Sequence, residues 1–144
     1  AREGMAVGLA ISLHAPDDNL RDSLVPVNRR YPLDRLLEAG RMYIERTGRR
    51  VTFEYALADG VNDSDEHARK TVELLQGLLC HVNLIQMNEV PGCEYQPSPR
   101  SRVLSFQEIL VQGRIQTTVR VSRGGDIQAG CGQLRARHLA PPEA

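Results

Sequence analysis

The sequence contains no tryptophan, only three cysteines and no apolar run that approaches the ~18 residues needed to cross a bilayer. Its first ten residues, AREGMAVGLA, lack the basic region and the cleavage site of a signal peptide. The three cysteines are odd in number, widely spaced and form no CxxC pair, so they support neither a zinc ribbon nor a disulfide framework. Eighteen basic residues balance eighteen acidic ones, which argues against a protein that coats nucleic acid but leaves a local basic face open. These absences predict a soluble cytoplasmic protein.

The 144 residues, 41% of them hydrophobic, are enough for one domain with a core. Four short runs rich in apolar or β-branched residues predict strands, and three segments with helical periodicity lie between them. The predicted strands cover 7–13, 51–57, 81–87 and 115–121, and the predicted helices cover 32–47, 64–79 and 98–113. The resulting β-α-β-α-β-α-β order predicts an α/β fold with a parallel sheet and right-handed helical crossovers.

The predicted helices carry recognisable boundary signals. Pro32 lies in the first turn of the first helix, and Gly48 stands just past its end. Asp63 and Glu66 have the spacing of a capping box at the start of the second helix. The residues expected to be buried are Ala68, Val72, Leu75 and Leu79 in the second helix, and Val103, Phe106 and Leu110 in the third.

Parallel sheets place functional residues in the loops that follow the carboxyl ends of their strands. Those loops here are segments 12–19, 58–65, 88–97 and 122–133. Ser12 and His14 emerge together after the first strand. A histidine at such a position is more often a loop-stabilising hydrogen bonder than a ligand or a base, and both interpretations stay open. Asn88 follows the third strand and by itself fits ordinary turn chemistry.

Other polar residues in these loops favour structural roles. Asp59, Asn62 and Asp63 are better explained as turn and cap residues than as metal ligands. Arg120 and Arg123 could bind a phosphate, but arginines beside glycines more often belong to a solvated turn.

The cysteines differ in their surroundings. Cys80 is expected to be a packed thiol and Cys93 an incidental residue of a Pro-Gly turn. Cys131 stands between Gly130 and Gly132, which remove bulk near the sulfur and let a large ligand approach it closely. A cysteine in an unremarkable C-terminal segment is the alternative, because a nucleophilic thiol also needs an activating contact.

Four segments in this order closely resemble the radical-SAM RNA methyltransferases that modify an adenine of 23S ribosomal RNA, the RlmN/Cfr family. The segments are GLAISLHAPDDNLRDSLVPVNRRYPLDRLLEA, RRVTFEYALADGVNDSDEHA, LLCHVNLIQMNEVPG and RGGDIQAGCGQL. Together they cover nearly all residues from Gly8 to Leu134.

The resemblance implies roles for individual residues. Ser12, Leu13 and His14 match a segment that lines the pocket for S-adenosylmethionine, and Asn88 matches an asparagine that contacts the same cofactor. Cys131 matches the cysteine that carries the methyl group as S-methylcysteine. The residues around Asn88 depart from the family's usual pattern, and so do glycines near Cys131. These departures are Gln86, Met87, Glu89, Gly125 and Gly130.

The resemblance also implies the rest of the reaction system. It predicts the C-terminal half of a partial (βα)6 radical-SAM barrel, with 23S ribosomal RNA as substrate and transfer RNA as a second candidate. It implies a [4Fe-4S] cluster and a disulfide bond in the full-length protein. Cluster ligands of the CxxxCxxC type are absent, since the cysteines lie thirteen and thirty-eight residues apart.

We therefore expect residues 1–144 to be a single partial domain, a C-terminal fragment without the cluster-binding and N-terminal RNA-binding regions, and inactive alone. The alternative is a cluster-less half-barrel that binds a ligand without catalysis. A hydrolase that uses Cys131 with His14 or His138 is disfavoured, because no nucleophile elbow surrounds the cysteine.

Overall fold

The computed structural model describes residues 7–121, which form one parallel sheet with helices between its strands. The strands are β1 (Leu9–Ser12), β2 (Val51–Leu57), β3 (Cys80–Gln86) and β4 (Gln116–Val121). The helices are α1 (Asp18–Leu24), α2 (Leu33–Thr47), α3 (Asp65–Leu75) and α4 (Arg100–Gln112), with a 3-10 helix at Pro26–Arg29.

The strands are hydrogen-bonded in chain order, β1-β2-β3-β4, and every neighbouring pair is parallel. The predicted α/β arrangement is therefore confirmed. In this register one row of residues crosses all four strands at a single level. The row consists of Ser12, Glu54, Asn83 and Thr118.

The two faces of the sheet differ in polarity because successive side chains of a strand alternate in direction. One face of β2 and β3 is apolar and buried, and it packs with residues of the helices. This core contains Val51, Phe53, Tyr55, Leu57, Cys80, Val82, Leu84, Val103, Phe106 and Leu110. The opposite face carries the polar row. Within residues 7–121, no helix is both long and apolar enough to traverse a bilayer.

Helix α2 follows the sequence prediction. Pro32 is its N-cap, and Gly48 adopts φ 66°, so the chain leaves the helix in the left-handed conformation that favours glycine. The Gly48 amide donates a hydrogen bond to the Ile44 carbonyl. The sequence prediction missed α1 and the 3-10 helix, because both are short, the buried residue of α1 is Arg21, and their segment shows no apolar stripe.

The start of α3 differs from the prediction. Ser64, not Asp63, is the N-cap, and its hydroxyl accepts a hydrogen bond from the His67 amide at 3.2 Å. The carboxylate of Asp63 accepts instead from the Gly60 amide and from the Ser98 hydroxyl. The predicted capping box is therefore wrong, since Asp63 has partners that only the folded chain brings near it.

The end of α3 also differs from the prediction. The helix stops at Leu75, and Leu79 remains 52% exposed rather than buried. Gly77, with φ 78°, lies between the helix and β3. Thr71 occupies a fully buried position on α3, while Val72 is only partly buried. The predicted burial of Ala68 and Leu75 is confirmed, as is that of the three α4 residues.

Helices α3 and α4 approach each other closely at Gly113. A methyl group added there would lie 2.6 Å from Cγ2 of Val72, far inside van der Waals contact. Gly113→Ala is therefore expected to destabilise the fold by about 1–3 kcal/mol, measured by urea unfolding. Gly8→Ala is the matched control, because nothing lies within 4 Å of the added methyl. Adding Val72→Ala should recover part of the loss, and an undiminished loss would contradict the steric explanation.

Candidate functional site

Loops that follow β1, β2 and β3 converge at the carboxyl edge of the sheet. They line an open cavity of about 160 Å³, and a leucine of α1 completes its wall. The lining residues are His14, Leu24, Ala56, Ala58, Asn62, Met87 and Tyr95. The sequence prediction that the site-bearing loops meet at this edge thus applies to the first three of them, and the fourth lies outside the described residues.

His14 turns the chain at this edge. Its φ is 58°, and its Nδ1 accepts a hydrogen bond from the Ala56 amide at 3.0 Å. One step earlier, the Leu13 amide donates to the Glu54 carbonyl at 2.9 Å. The imidazole therefore continues the pairing with β2 where the backbone of β1 has turned away. Because Nδ1 accepts, the proton of the neutral ring resides on Nε2.

Burial lowers the pKa of His14 below its ordinary value, and the positive charge of Arg21 lowers it further, while Glu54 partly opposes both effects. The ring is therefore neutral at pH 7. It offers a ligand one hydrogen-bond donor, the Nε2–H, and no charge. Its Nδ1 has the structural role that the sequence suggested as one of two interpretations.

Protonation of His14 would break its bond with the Ala56 amide. Because the folded-state pKa lies below the unfolded value of 6.5, the unfolded chain takes up the proton first as the pH falls. The free energy of unfolding should therefore decrease as the pH falls below about 6.5 towards the folded-state pKa.

His14→Asn tests this pH dependence, because asparagine keeps a side-chain acceptor and tolerates positive φ. Urea unfolding between pH 5 and pH 8 should show a shallower pH dependence in the variant than in the unmodified protein. Identical slopes would contradict the assignment.

Arg21 of α1 fixes the backbone of the preceding loop. It is 4% exposed, and its Nε donates to the Leu13 carbonyl at 2.9 Å. Its Nη2 donates to the Ser12 carbonyl at 2.8 Å, and its Nη1 donates to Asn28 Oδ1 at 2.5 Å. The guanidinium thus holds two consecutive carbonyls, and it sets the path of Ser12, Leu13 and His14.

Asn28 of the 3-10 helix completes this network. It is 1% exposed, and its Nδ2 donates to Asp22 Oδ1 at 2.7 Å and to Asp18 Oδ1 at 3.0 Å. Asp18 also accepts from the Leu33 amide at the start of α2. The sequence prediction missed this network. The sequence signal that could have indicated this network is the spacing of Asp18, Arg21 and Asp22, which places three charged residues on one helical face.

Asn62 binds the loops after β1 and β2 together. Its Oδ1 accepts from the Ala58 amide, and its Nδ2 donates to the carbonyls of His14 and Ala56, each at 2.8 Å. Its own carbonyl accepts from the Tyr55 hydroxyl at 2.8 Å. These bonds are those of a turn residue, as the sequence suggested.

Asn88 lies two residues past the end of β3, next to the cavity residue Met87. Its Nδ2 is buried and has no hydrogen-bond partner among residues 7–121. A buried amide donor without a partner is energetically unfavourable, and an acceptor on a ligand would satisfy it.

The remaining sequence candidates occupy distinct positions. Ser12 is exposed at the end of β1, whereas the Leu13 side chain is fully buried in the core. Cys80 is buried, as predicted for a packed thiol, and Cys93 is exposed in a loop; neither forms a disulfide within residues 7–121. Arg120 is exposed on β4. Cys131 lies outside the described residues, as do Arg123, Gly125, Gly130, Gly132 and His138.

Comparisons with known proteins match almost the whole chain. No family model matches the chain. Over 137 residues it is 55% identical to the probable dual-specificity RNA methyltransferase RlmN of Geobacillus kaustophilus, covering 95% of this chain and 38% of that protein. Over 139 residues it is 56% identical to the probable RlmN of Desulforudis audaxviator, covering 96% and 43% respectively. The chain belongs to the RlmN family.

Two solved structures share the fold of this RlmN-family chain. The crystal structure of a radical SAM methyltransferase from Sphaerobacter thermophilus matches with a TM-score of 0.89 and 56% identity, over 92% of this chain and 39% of that one. A domain of pyruvate-formate lyase-activating enzyme from Bacteroides vulgatus matches with a TM-score of 0.61 at 17% identity, over 78% of this chain and 66% of that one. This second match concerns the fold alone.

The RlmN-family chain spans 38% and 43% of the length of the two curated relatives described above. The similarity extends over almost the whole of the chain, including the loops at the carboxyl edge, but over less than half of each relative.

Proposed function

We propose that this chain is the C-terminal part of an enzyme that methylates C2 of an adenine in 23S ribosomal RNA, and in transfer RNA as a second substrate. The observation that carries this proposal is the 55% identity to an RNA methyltransferase over 95% of the chain. The enzyme would act in the cytoplasm, where both RNAs are found. Residues 1–144 would form one partial domain of it.

The residues at the carboxyl edge fit S-adenosylmethionine. Ser12 and His14 would line its pocket on either side of Leu13, whose side chain is buried in the core, and Asn88 would contact it from the other side of β2. The buried Nδ2 of Asn88 supports this assignment, because it needs an acceptor that the described residues do not supply. The Nε2–H of His14 offers a second donor beside an apolar cavity. When bound, S-adenosylmethionine supplies the methyl group and, together with a [4Fe-4S] cluster, the radical chemistry.

Cys131 would carry the methyl group as S-methylcysteine. C2 of adenine lies between two ring nitrogens and is too electron-poor to displace a methyl group from a sulfonium. A thiolate is a strong nucleophile and can accept the methyl group first. Gly130 and Gly132 would leave room for both the cofactor and the RNA base beside the sulfur.

This chain does not supply the expected ligands of the [4Fe-4S] cluster. Its three cysteines lack the CxxxCxxC spacing, and Cys80 is packed in the core. We place those ligands elsewhere in the full-length protein. A disulfide bond would require Cys131 or a cysteine outside this chain, because Cys80 and Cys93 are not joined to each other within residues 7–121.

The proposal is tested with the full-length protein, reconstituted with its cluster and given methyl-labelled S-adenosylmethionine and 23S ribosomal RNA. Nuclease digestion and mass spectrometry should find 2-methyladenosine. Transfer RNA in a parallel reaction tests the second substrate. Label at C8 of adenine, or no label in either RNA, would contradict the proposal.

A further inference from the structure

The sheet face that points away from the core carries a continuous chain of polar side chains. His81 Nε2 lies 2.9 Å from the Thr118 hydroxyl, which donates a hydrogen bond to Asn83 Oδ1. Asn83 Nδ2 donates to Glu54 Oε1 at 3.1 Å. The chain thus runs from β4 and β3 to β2 and ends at a carboxylate.

The hydrogen bonds of this chain share one direction. With the His81 proton on Nε2, each group donates to the next one along, and the last acceptor is Glu54 Oε1. The other carboxylate oxygen, Oε2, is buried and has no hydrogen-bond partner among residues 7–121. A buried carboxylate oxygen without a donor is unfavourable. These hydrogen bonds therefore hold the carboxylate of Glu54 in place. Its Oε2 remains as an acceptor for a group that residues 7–121 do not contain.

The position of Glu54 relates this acceptor to the carboxyl-edge site. Glu54 pairs in register with Ser12, the last residue of β1, and its carbonyl accepts from the Leu13 amide. It is also close enough to His14 for its charge to influence that ring. Glu54 therefore lies on the polar face one strand away from the segment that would line the cofactor pocket.

Two arginines that precede β2 line the same pocket as Glu54, so the site favours a donor that adds no further positive charge. Arg21 already holds a guanidinium against the carbonyls of Ser12 and Leu13. A vicinal diol suits a single free carboxylate oxygen in such surroundings, because its hydroxyls donate without adding a charge. The ribose of S-adenosylmethionine carries such a diol.

We propose that Glu54 Oε2 accepts a hydrogen bond from a ribose hydroxyl of S-adenosylmethionine, with Asn83 and Thr118 holding the carboxylate in position. This inference rests on the proposed function and adds a binding residue on β2, a strand to which no cofactor contact was assigned. Glu54 is a cofactor-positioning residue, and it takes no part in methyl transfer.

The test measures S-adenosylmethionine binding to the full-length protein by calorimetry. Glu54→Gln keeps the shape of the side chain and the acceptor for Asn83 Nδ2, but removes the charge. The dissociation constant should rise on the order of tenfold to a hundredfold, the loss of one charge-assisted hydrogen bond. For an analogue without the 2′ and 3′ hydroxyls, the same substitution should change the dissociation constant less than about threefold, since the bond is already absent.

Two further variants complete the design. Glu73→Gln removes an exposed carboxylate of α3 and should leave binding unchanged. Thr118→Val breaks the polar chain away from the ligand and should weaken binding less than Glu54→Gln does. Thermal unfolding of each variant reports the effect on the fold.

Three results would overturn the inference. A lower melting temperature of Glu54→Gln with unchanged affinity would make Glu54 a structural residue. Equal weakening for S-adenosylmethionine and for the analogue would show that the carboxylate senses the ligand's charge. Absence of binding by the unmodified protein would refute the proposed function itself, and it is recognised separately because no variant is needed to see it.

Discussion

Replacing Cys131 by alanine in the full-length enzyme is expected to abolish RNA methylation, lowering the rate by about a thousandfold or more. Alanine has no sulfur to accept the methyl group, and C2 of adenine cannot take that group by direct displacement. Methyl transfer to RNA is measured with labelled S-adenosylmethionine. Intact-mass analysis of the unmodified protein should find one additional methyl group, and the variant should lack it.

Cys93→Ala provides the matched control, because Cys93 is an exposed free thiol in a loop and should be dispensable. Binding of S-adenosylmethionine by Cys131→Ala should persist, which separates loss of the methyl carrier from loss of the fold. Methylation at the normal rate by Cys131→Ala would refute the assigned role of this sulfur and with it the two-stage transfer.

Replacing Arg21 by methionine is expected to produce a large loss of stability, because it removes a buried group that donates three hydrogen bonds. Methionine fills similar space but donates no hydrogen bond, so the carbonyls of Ser12 and Leu13 lose their donors and Asn28 loses a partner. We expect a decrease of about 3 kcal/mol or more in the free energy of unfolding, measured with urea. Binding of S-adenosylmethionine should weaken as well, because the path of the loop to His14 is no longer fixed.

Arg29→Met is the control for this experiment, since Arg29 is exposed on the 3-10 helix and should change stability by less than about 0.5 kcal/mol. A double-mutant cycle with Asn28→Ala then isolates the interaction between the two buried partners. If Arg21→Met were as stable as Arg29→Met, the network would not support the loop.

The fold was largely predictable from local sequence. The runs that became β2 and β3 are short and alternate in burial, and α2 shows both a periodic apolar stripe and a terminal glycine. Helix α1 was missed because its buried residue is Arg21, and an arginine is buried only when the folded chain provides its partners. The same reason explains Asp63, whose partner Ser98 lies thirty-five residues away.

The candidate site was predictable only in part. The position of His14 at a strand end identified it as a functional candidate, but nothing local shows that its Nδ1 meets the Ala56 amide. The local sequence gives no functional signal at Glu54, because a single charged residue in a strand is ordinary. Its importance follows from Asn83 and Thr118, which approach it only through the pairing of three strands.

The order of the four strands and the three longer helices, the membership of the RlmN family and the candidate role of Cys131 were determined by the sequence alone, because periodicity and motifs are properties of neighbouring residues. Tertiary structure decided which polar groups are buried, which donors and acceptors they meet and which remain without a partner. These properties depend on groups far apart in the chain. Only the tertiary structure therefore identifies Glu54 Oε2 and Asn88 Nδ2 as buried atoms without a hydrogen-bond partner among residues 7–121.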